Sequence, residues 1–165
     1  DFLRATLEGD GAHEVALADE ISLTEHYLDI EKARLDDRLA IHMQVGPDCL
    51  HASVPYLLLQ PLVENAIRHG IALRREGGHL QVQVSRADER LRISLRNDGL
   101  ADALRRDGTN ETASASVGLR NVRERLERLY EDNHRFELAF ADDGRCEVSI
   151  DLPFRRVADE TALSA

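Results

Sequence analysis

Apolar and polar positions repeat with clear periods along most of the chain, and these periods predict its helices and strands. Between 18 and 38, Ile21, Leu28 and Leu35 lie a heptad apart, which predicts an amphipathic helix with one apolar seam. The alternating segment LAIHMQV at 39–45 then predicts a strand closed by a Gly-Pro-Asp turn. The seam fits equally a contact with a second copy of the chain and packing on the helix's own domain.

A second apolar segment, VPYLLLQPLVENAIRHGI at 54–71, predicts a buried helix with polar residues in its second half. Ser53 is a candidate N-cap, and Pro55 fits the first turn, where a missing N–H costs nothing. Pro61 lies further inside the segment, so we expect a kink or a restart of the helix there.

Two hairpins complete the predicted sheet. Residues 79–97 alternate apolar and polar positions on both sides of a polar turn. The segments 135–141 and 145–154 do the same around an Asp-Asp-Gly turn. With the helices, this order predicts an α+β fold, a two-layer α/β sandwich whose mixed sheet is covered on one face by helices.

The segment between the hairpins predicts a lid and a third helix. Residues 99–117 have no sustained apolar period, and unstructured connections of this length are typical of lids and binding loops. Residues 118–130 repeat leucine and valine at helical spacing. We expect residues 1–38 to be a helical linker segment, 39–154 the domain itself, and 155–165 an unstructured tail.

Composition narrows the class of protein. The chain has 165 residues, 42% of them hydrophobic, which is enough for one core. Its net charge of −10 opposes binding to nucleic acid and to anionic lipid. Cys49 and Cys146 have no CxxC spacing, and the seven histidines form no zinc motif. No apolar run approaches the roughly 18 residues of a membrane span. We therefore expect a soluble cytoplasmic domain.

The polar residues of the second helix suggest a metal site. At helical spacing, Asn65, Arg68 and His69 share one side, while the apolar positions take the other. An asparagine oxygen is a hard ligand that suits Mg²⁺, and an arginine beside it could offset phosphate charge. A single asparagine or histidine at a helix edge is, however, more often satisfied by local hydrogen bonds.

Two further segments could contact a nucleotide. Asn97, Asp98 and Gly99 end a core strand, where a side-chain oxygen could accept from an amino group and the glycine could let the backbone approach a flat ring. Gly118 precedes the third helix, whose free N–H groups would bind an anion. Each feature alone is also explained by an ordinary turn or by a glycine before a helix.

The order of these features resembles a known family. LLLQPLVENAIRHGI resembles the N box of LytS-like sensor histidine kinases, and SVGLRNVRERLERLY resembles their glycine box and the helix after it. YLDIEKARLDDRL is similar to the segment that joins their dimerisation helices to the ATP-binding domain. The likeness covers about residues 15–153 and implies the Bergerat ATP-binding fold. It implies ATP and Mg²⁺ as ligands, a homodimer anchored in the inner membrane, and a response regulator as partner.

The resemblance also implies roles for single residues. Asn65 matches the Mg²⁺-holding asparagine, and Arg68 and His69 match positions near the phosphates and the nucleoside. Asn97 stands where the family usually has an adenine-reading aspartate, which would cost on the order of 1–2 kcal/mol if the acceptor is kept. Gly99 matches the glycine after that position, and Gly118 matches the glycine whose backbone would meet the phosphates. Their neighbours in the predicted site are Asp98, as a substitute acceptor, and Leu119.

Some features of the family are absent from the sequence. Ala101 and Ser116 stand where a glycine is usual. No histidine has the phosphoacceptor motif; His26 lies in TEHYLDIEKAR, which matches the later linker segment, so no catalytic side chain is assigned within this chain. Two alternatives stay open. The domain could be a degenerate relay module, or another Bergerat ATPase or serine kinase, although that class needs an acidic base where this chain has Pro61.

Overall fold

The secondary structure comes from a computed structural model that describes residues 13–99 and 111–157. In chain order, the strands and α-helices are β1 Glu14–Ala16, α1 Leu17–Leu35, β2 Leu39–Val45, β3 Ser53–Pro55, α2 Leu59–Arg68, β4 Gly78–Ala87, β5 Arg90–Asn97, α3 Glu111–Tyr130, β6 Arg135–Phe140 and β7 Cys146–Pro153. Short 3₁₀ turns lie at Asp36–Arg38, Pro47–Cys49 and Ile71–Leu73. No helix in this part of the chain is long and apolar enough to cross a membrane.

The main sheet is mixed, as predicted. Its strand order is β2-β4-β5-β7-β6, with β2 and β4 parallel and the other neighbours antiparallel. β1 and β3 form a separate antiparallel pair. Alternation puts one apolar face of the main sheet under the helices. On that face Leu95 lies opposite Val82 and Val148, and all three are buried. The two-layer α/β sandwich is confirmed.

The apolar seam of α1 packs on its own domain. Ile21, Leu28 and Leu35 are buried within a single chain, with exposed fractions of 9%, 4% and 4%. This decides between the two readings of the seam, because residues buried in this way cannot face a second copy. The linker helix therefore shares the core of the domain that follows it.

The second helix begins later than predicted. Ser53–Pro55 is a strand paired with Glu14–Ala16, so Ser53 does not cap the helix and Pro55 is not in it. Proline disfavours the α conformation of the residue before it, which helps to keep this stretch extended. Because α2 begins at Leu59, Pro61 is in its first turn, where no N–H is needed and no kink results.

The third helix begins earlier than predicted. Its backbone is helical from Glu111, although 111–117 were assigned to the lid. This part contains Ala113 and Ala115, and alanine has the highest helix propensity even where no apolar period marks a buried face. The rest of the predicted lid, residues 100–110, lies outside the described residues.

The ends of the domain meet at β3. The Ser53 N–H donates to the Arg155 carbonyl at 2.6 Å, and the Val157 N–H donates to the His51 carbonyl at 3.0 Å. The chain is thus still hydrogen-bonded to the domain at 155–157, where the predicted unstructured tail begins. Residues 1–12 and 158–165 lie outside the described residues.

Candidate functional site

α2 separates an apolar side from a polar one, as its sequence predicts. Five of its residues are buried against the core: Leu59, Leu62, Val63, Ala66 and Ile67. On the other side Asn65 and His69 are half-buried and Arg68 is exposed. Arg68 makes no ion pair with any residue that the structure describes.

Asn65 holds the unusual polar atom of this helix. Its Oδ1 is buried and has no hydrogen-bond partner among the described residues. The large majority of buried polar atoms are paired, because an unpaired one forfeits its hydration. An unpartnered amide oxygen is a hard donor of the kind Mg²⁺ takes, so this residue fits the ion that the resemblance implies. No cluster of three or more His, Cys, Asp or Glu in the described ranges could hold a metal.

Asn97 brings the end of β5 against the end of α2. Its side chain is buried, with 6% exposed, on the helix-facing side of the strand. Its Nδ2 donates to the Asp98 carbonyl at 3.0 Å and lies 3.5 Å from the Ala66 carbonyl. A Cβ on Gly70 would come within 2.5 Å of both the Ala66 oxygen and this Nδ2. The fold thus places Asn97 beside the helical turn that carries Asn65.

Asp98 is occupied elsewhere. Its Oδ2 accepts from the His79 N–H at 2.8 Å and lies 3.0 Å from the His79 Nδ1. Partial burial acts to raise the pKa of this carboxyl, but the hydrogen bonds from His79 bring it below its ordinary value. Asp98, Gln81 and Arg145 line a cavity of about 530 Å³ on the open side of the sheet, which Asn97 also borders. The suggestion that Asp98 substitutes for Asn97 therefore has no support in this geometry.

Position 99 requires a glycine for a structural reason that the sequence does not reveal. A Cβ at this position would lie 2.5 Å from the Gly144 carbonyl oxygen, so the turn between β6 and β7 excludes a side chain here. The Gly99 carbonyl accepts from Arg74 Nη1 at 2.9 Å. The backbone does make a close approach, as predicted, but its neighbour is this turn.

Gly118 is not at a helix N-terminus, as the sequence predicted, but inside α3; that it contacts the phosphates stays a prediction. The residue lies inside α3, where an N–H bonds the carbonyl four residues before it. A Cβ on Gly118 would meet the Pro61 Cβ at 3.9 Å, an ordinary contact. Since positions 61 and 65 share a face of α2, α3 passes this face one turn before Asn65. Leu119, 9% exposed, belongs to the core.

Two residues that the sequence did not single out hold the start of α2. Glu20 accepts the N–H groups of the first residue of this helix and of the two residues before it, and Arg125 donates to carbonyls in the same turn. Burial is the main influence on Glu20 and raises its pKa, against three backbone hydrogen bonds and the charge of Arg125. One signal in the sequence could have drawn attention to such a partner: α2 has no capping side chain of its own.

Comparison with known proteins relates the chain to sensor histidine kinases. A family model described as Histidine kinase matches residues 1–39. Sensor protein LytS of Staphylococcus epidermidis is 30% identical over 96% of this chain and 28% of its own length. Sensor histidine kinase BtsS of Escherichia coli K12 is 30% identical over 86% of this chain and 24% of its own length. The chain thus spans about a quarter of the curated relatives it matches.

Solved structures show the same fold. The nucleotide-free catalytic domain of histidine kinase ThkA superposes with a TM-score of 0.61 at 13% identity, covering 86% of this chain and 94% of its own. Full-length ShkA in complex with AMPPNP gives a TM-score of 0.58 at 18% identity, covering 89% of this chain and 32% of that one. At these identities the likeness shows a histidine kinase catalytic-domain fold.

Proposed function

Because the chain belongs with the LytS-like sensor histidine kinases, we propose that it binds ATP with Mg²⁺ and supplies the γ-phosphate to a histidine outside this chain. That histidine lies on the protein's own dimerisation segment and passes the phosphate to an aspartate of a response regulator. The intact protein is a homodimer anchored in the inner membrane. Phosphoryl transfer mostly requires positioning and charge neutralisation, so this domain needs no nucleophile of its own.

The Asn65 oxygen is the observation that carries this proposal. It is a buried acceptor without a partner among the described residues, in a helix whose other side packs on the core. Mg²⁺ is usually held by one or two protein oxygens, several waters and the substrate phosphates. Asn65 would be the protein ligand, and the ion would neutralise phosphate charge. Retaining a lone polar atom at this position lowers stability, which is common at functional sites.

Arg68 and His69 extend the site along α2. Arg68 is exposed, follows Asn65 by one turn and has no ion-pair partner in the described ranges. A guanidinium in this position can bind phosphate oxygens through paired N–H donors. His69 closes the helix half-buried, with its backbone N–H on the Asn65 carbonyl at 3.0 Å. Its ring would lie at the nucleoside side of the phosphates.

Asn97 would read the base. Its Nδ2 faces two backbone carbonyls, which fixes the amide so that Oδ1 is the atom left to accept. Adenine offers an amino group at the 6-position, whereas guanine offers a carbonyl there. The amide therefore selects ATP although it lacks the charge of a carboxylate. We expect ATP to bind at least tenfold more tightly than GTP, a difference of about 1.4 kcal/mol. Equal affinities would contradict this orientation.

A hydrolase or serine-kinase function has less support. Such relatives require an acidic base four residues before the metal-binding asparagine, and this chain has Pro61 there, in the first turn of α2. Proline offers no group that can take a proton. The α2 site is therefore suited to holding a nucleotide whose γ-phosphate is transferred to another segment.

The location of the site can be tested by NMR titration of the ¹⁵N-labelled chain with ATP and Mg²⁺. We expect the largest shift changes at the side-chain amides of Asn65 and Asn97 and at the backbone of His69. GTP with Mg²⁺ serves as the matched control and should give small changes at the same concentration. Changes confined to His79 and Arg145, at the cavity on the open face, would place the ligand elsewhere and overturn the proposal.

A further inference from the structure

The turn before α2 is held from both sides by charged side chains of the other two helices. From α1, Glu20 Oε1 accepts the Leu57 N–H at 2.6 Å, while Oε2 accepts the N–H groups of Leu58 at 3.0 Å and Leu59 at 3.1 Å. Leu58 is the N-cap of α2 and Leu59 its first residue, and a helix leaves N–H groups unpaired at this end. The carboxylate does for α2 what a capping side chain usually does locally.

Arg125 of α3 holds the carbonyl side of the same turn. Its Nη1 donates to the Tyr56 carbonyl at 2.6 Å and to the Leu57 carbonyl at 3.1 Å. Leu57 has a φ of +57°, in the left-handed region that a leucine rarely adopts. A conformation of this kind persists only where its surroundings over-determine it. The two charged side chains supply that constraint.

The source of the cap distinguishes this arrangement from ordinary capping. A serine or aspartate beside Leu59 would satisfy the same N–H groups without involving another helix. Here the acceptor, Glu20, comes from α1 and is 1% exposed. The start of α2 is therefore fixed to a different helix. α1 and α2 also pack against each other. α1 is thus in contact with α2 and supplies the acceptor at its start.

We propose that Glu20 is a positioning residue, which fixes the start of α2 relative to α1 and thereby sets the place of Asn65. Asn65 is six residues beyond Leu59 on an unbroken helix, about 9 Å along its axis. A shift of the first turn therefore moves Asn65 with it. The inference rests on the proposed function only for the identity of the ligand that Asn65 binds. It makes α1 the element whose position decides how Asn65 meets Mg²⁺ and ATP.

The test replaces Glu20 by Gln, which keeps the size of the side chain but leaves one accepting oxygen. Glu25→Gln is the matched control, because Glu25 is an exposed glutamate of the same helix. We expect Glu20→Gln to reduce the strengthening of ATP binding by Mg²⁺ at least fivefold, with less than twofold change in binding without Mg²⁺. A purely structural role would change the melting temperature and leave this strengthening intact, which would overturn the proposal.

A second readout uses the ligand-free protein and does not depend on nucleotide binding. In Glu20→Gln the ¹⁵N shifts should change from Leu57 through the Asn65 side-chain amide, while Glu25→Gln leaves them unchanged. Changes that end at Leu59 would overturn the positioning role. If the wild type shows no Mg²⁺-dependent binding, the proposed function fails, and the positioning role is judged on these shifts alone. If Glu20→Gln does not fold, Arg125→Lys tests the same turn from its other side.

Discussion

Replacing Asn65 by Leu should stabilise the domain while removing its nucleotide site. The two side chains have nearly the same shape, so the change leaves no large cavity. It removes a buried oxygen that has no partner among the described residues. A buried polar group without a partner costs about 1–3 kcal/mol. Because Asn65 is only half-buried and its remaining amide atoms lose some hydration on replacement, we expect a net gain of about 1–2 kcal/mol.

The gain is measured by thermal and urea unfolding of the ligand-free protein. For a chain of this size it corresponds to a rise in melting temperature of about 2–8 °C. Gln60→Leu is the control, since Gln60 is a half-buried amide on the same helix without a buried unpartnered atom. It should change stability much less. A loss of stability in Asn65→Leu would refute the reasoning, because it would mean that the Asn65 amide is already satisfied in the free protein.

Three further predictions follow from the structure. Gly118→Ala should raise the free energy of unfolding by up to about 1 kcal/mol, since the residue is inside α3 and its Cβ has room; a lower melting temperature would contradict this. Asn97→Asp should lower it by about 1–3 kcal/mol, because an acceptor would face two carbonyls, and urea unfolding would show this as a lower midpoint. Burial raises the pKa of Glu20, so folding favours its protonated form, and the stability of wild type relative to Glu20→Gln should fall as pH rises through that pKa. A difference that instead grows between pH 4 and 8 would show the opposite shift.

The strands could be read from the sequence because one face of the sheet is buried. Burial of every second residue leaves a period of two, and a slip of one residue would expose the whole apolar set. The pairing of Val82 with Leu95 and of Leu95 with Val148 follows from that constraint. The same reasoning predicted the hairpins and the mixed sheet that the structure shows.

The starts of two helices could not be read in this way. α2 begins at Leu59 because its cap comes from Glu20, which is 37 to 39 residues away from the groups it binds. α3 begins at Glu111 in a stretch without an apolar period, where local helix propensity replaces the pattern. In both cases the deciding interaction leaves no periodic trace in the residues that it orders.

The candidate site was only partly predictable. Asn65 and Asn97 stand out in the sequence because polar residues interrupt elements that pack, and the structure places Asn97, at the end of β5, beside the end of α2. The glycines misled, since spacing says nothing about what approaches them: Gly99 meets the turn at Gly144 and Gly118 lies in a helix. That they contact the nucleotide, as their matches to the family imply, stays a prediction.

The measurement that tests the central claim most directly is a calorimetric titration of ATP, with and without Mg²⁺, into this chain and into Asn65→Ala. We predict binding that Mg²⁺ strengthens in the wild type, and loss of that strengthening in the variant, because the Asn65 oxygen is the proposed protein ligand of the ion. Equal Mg²⁺-dependent binding in both proteins would contradict the assignment of Asn65. No binding at millimolar ATP would contradict the nucleotide site itself and favour a domain that only relays conformation.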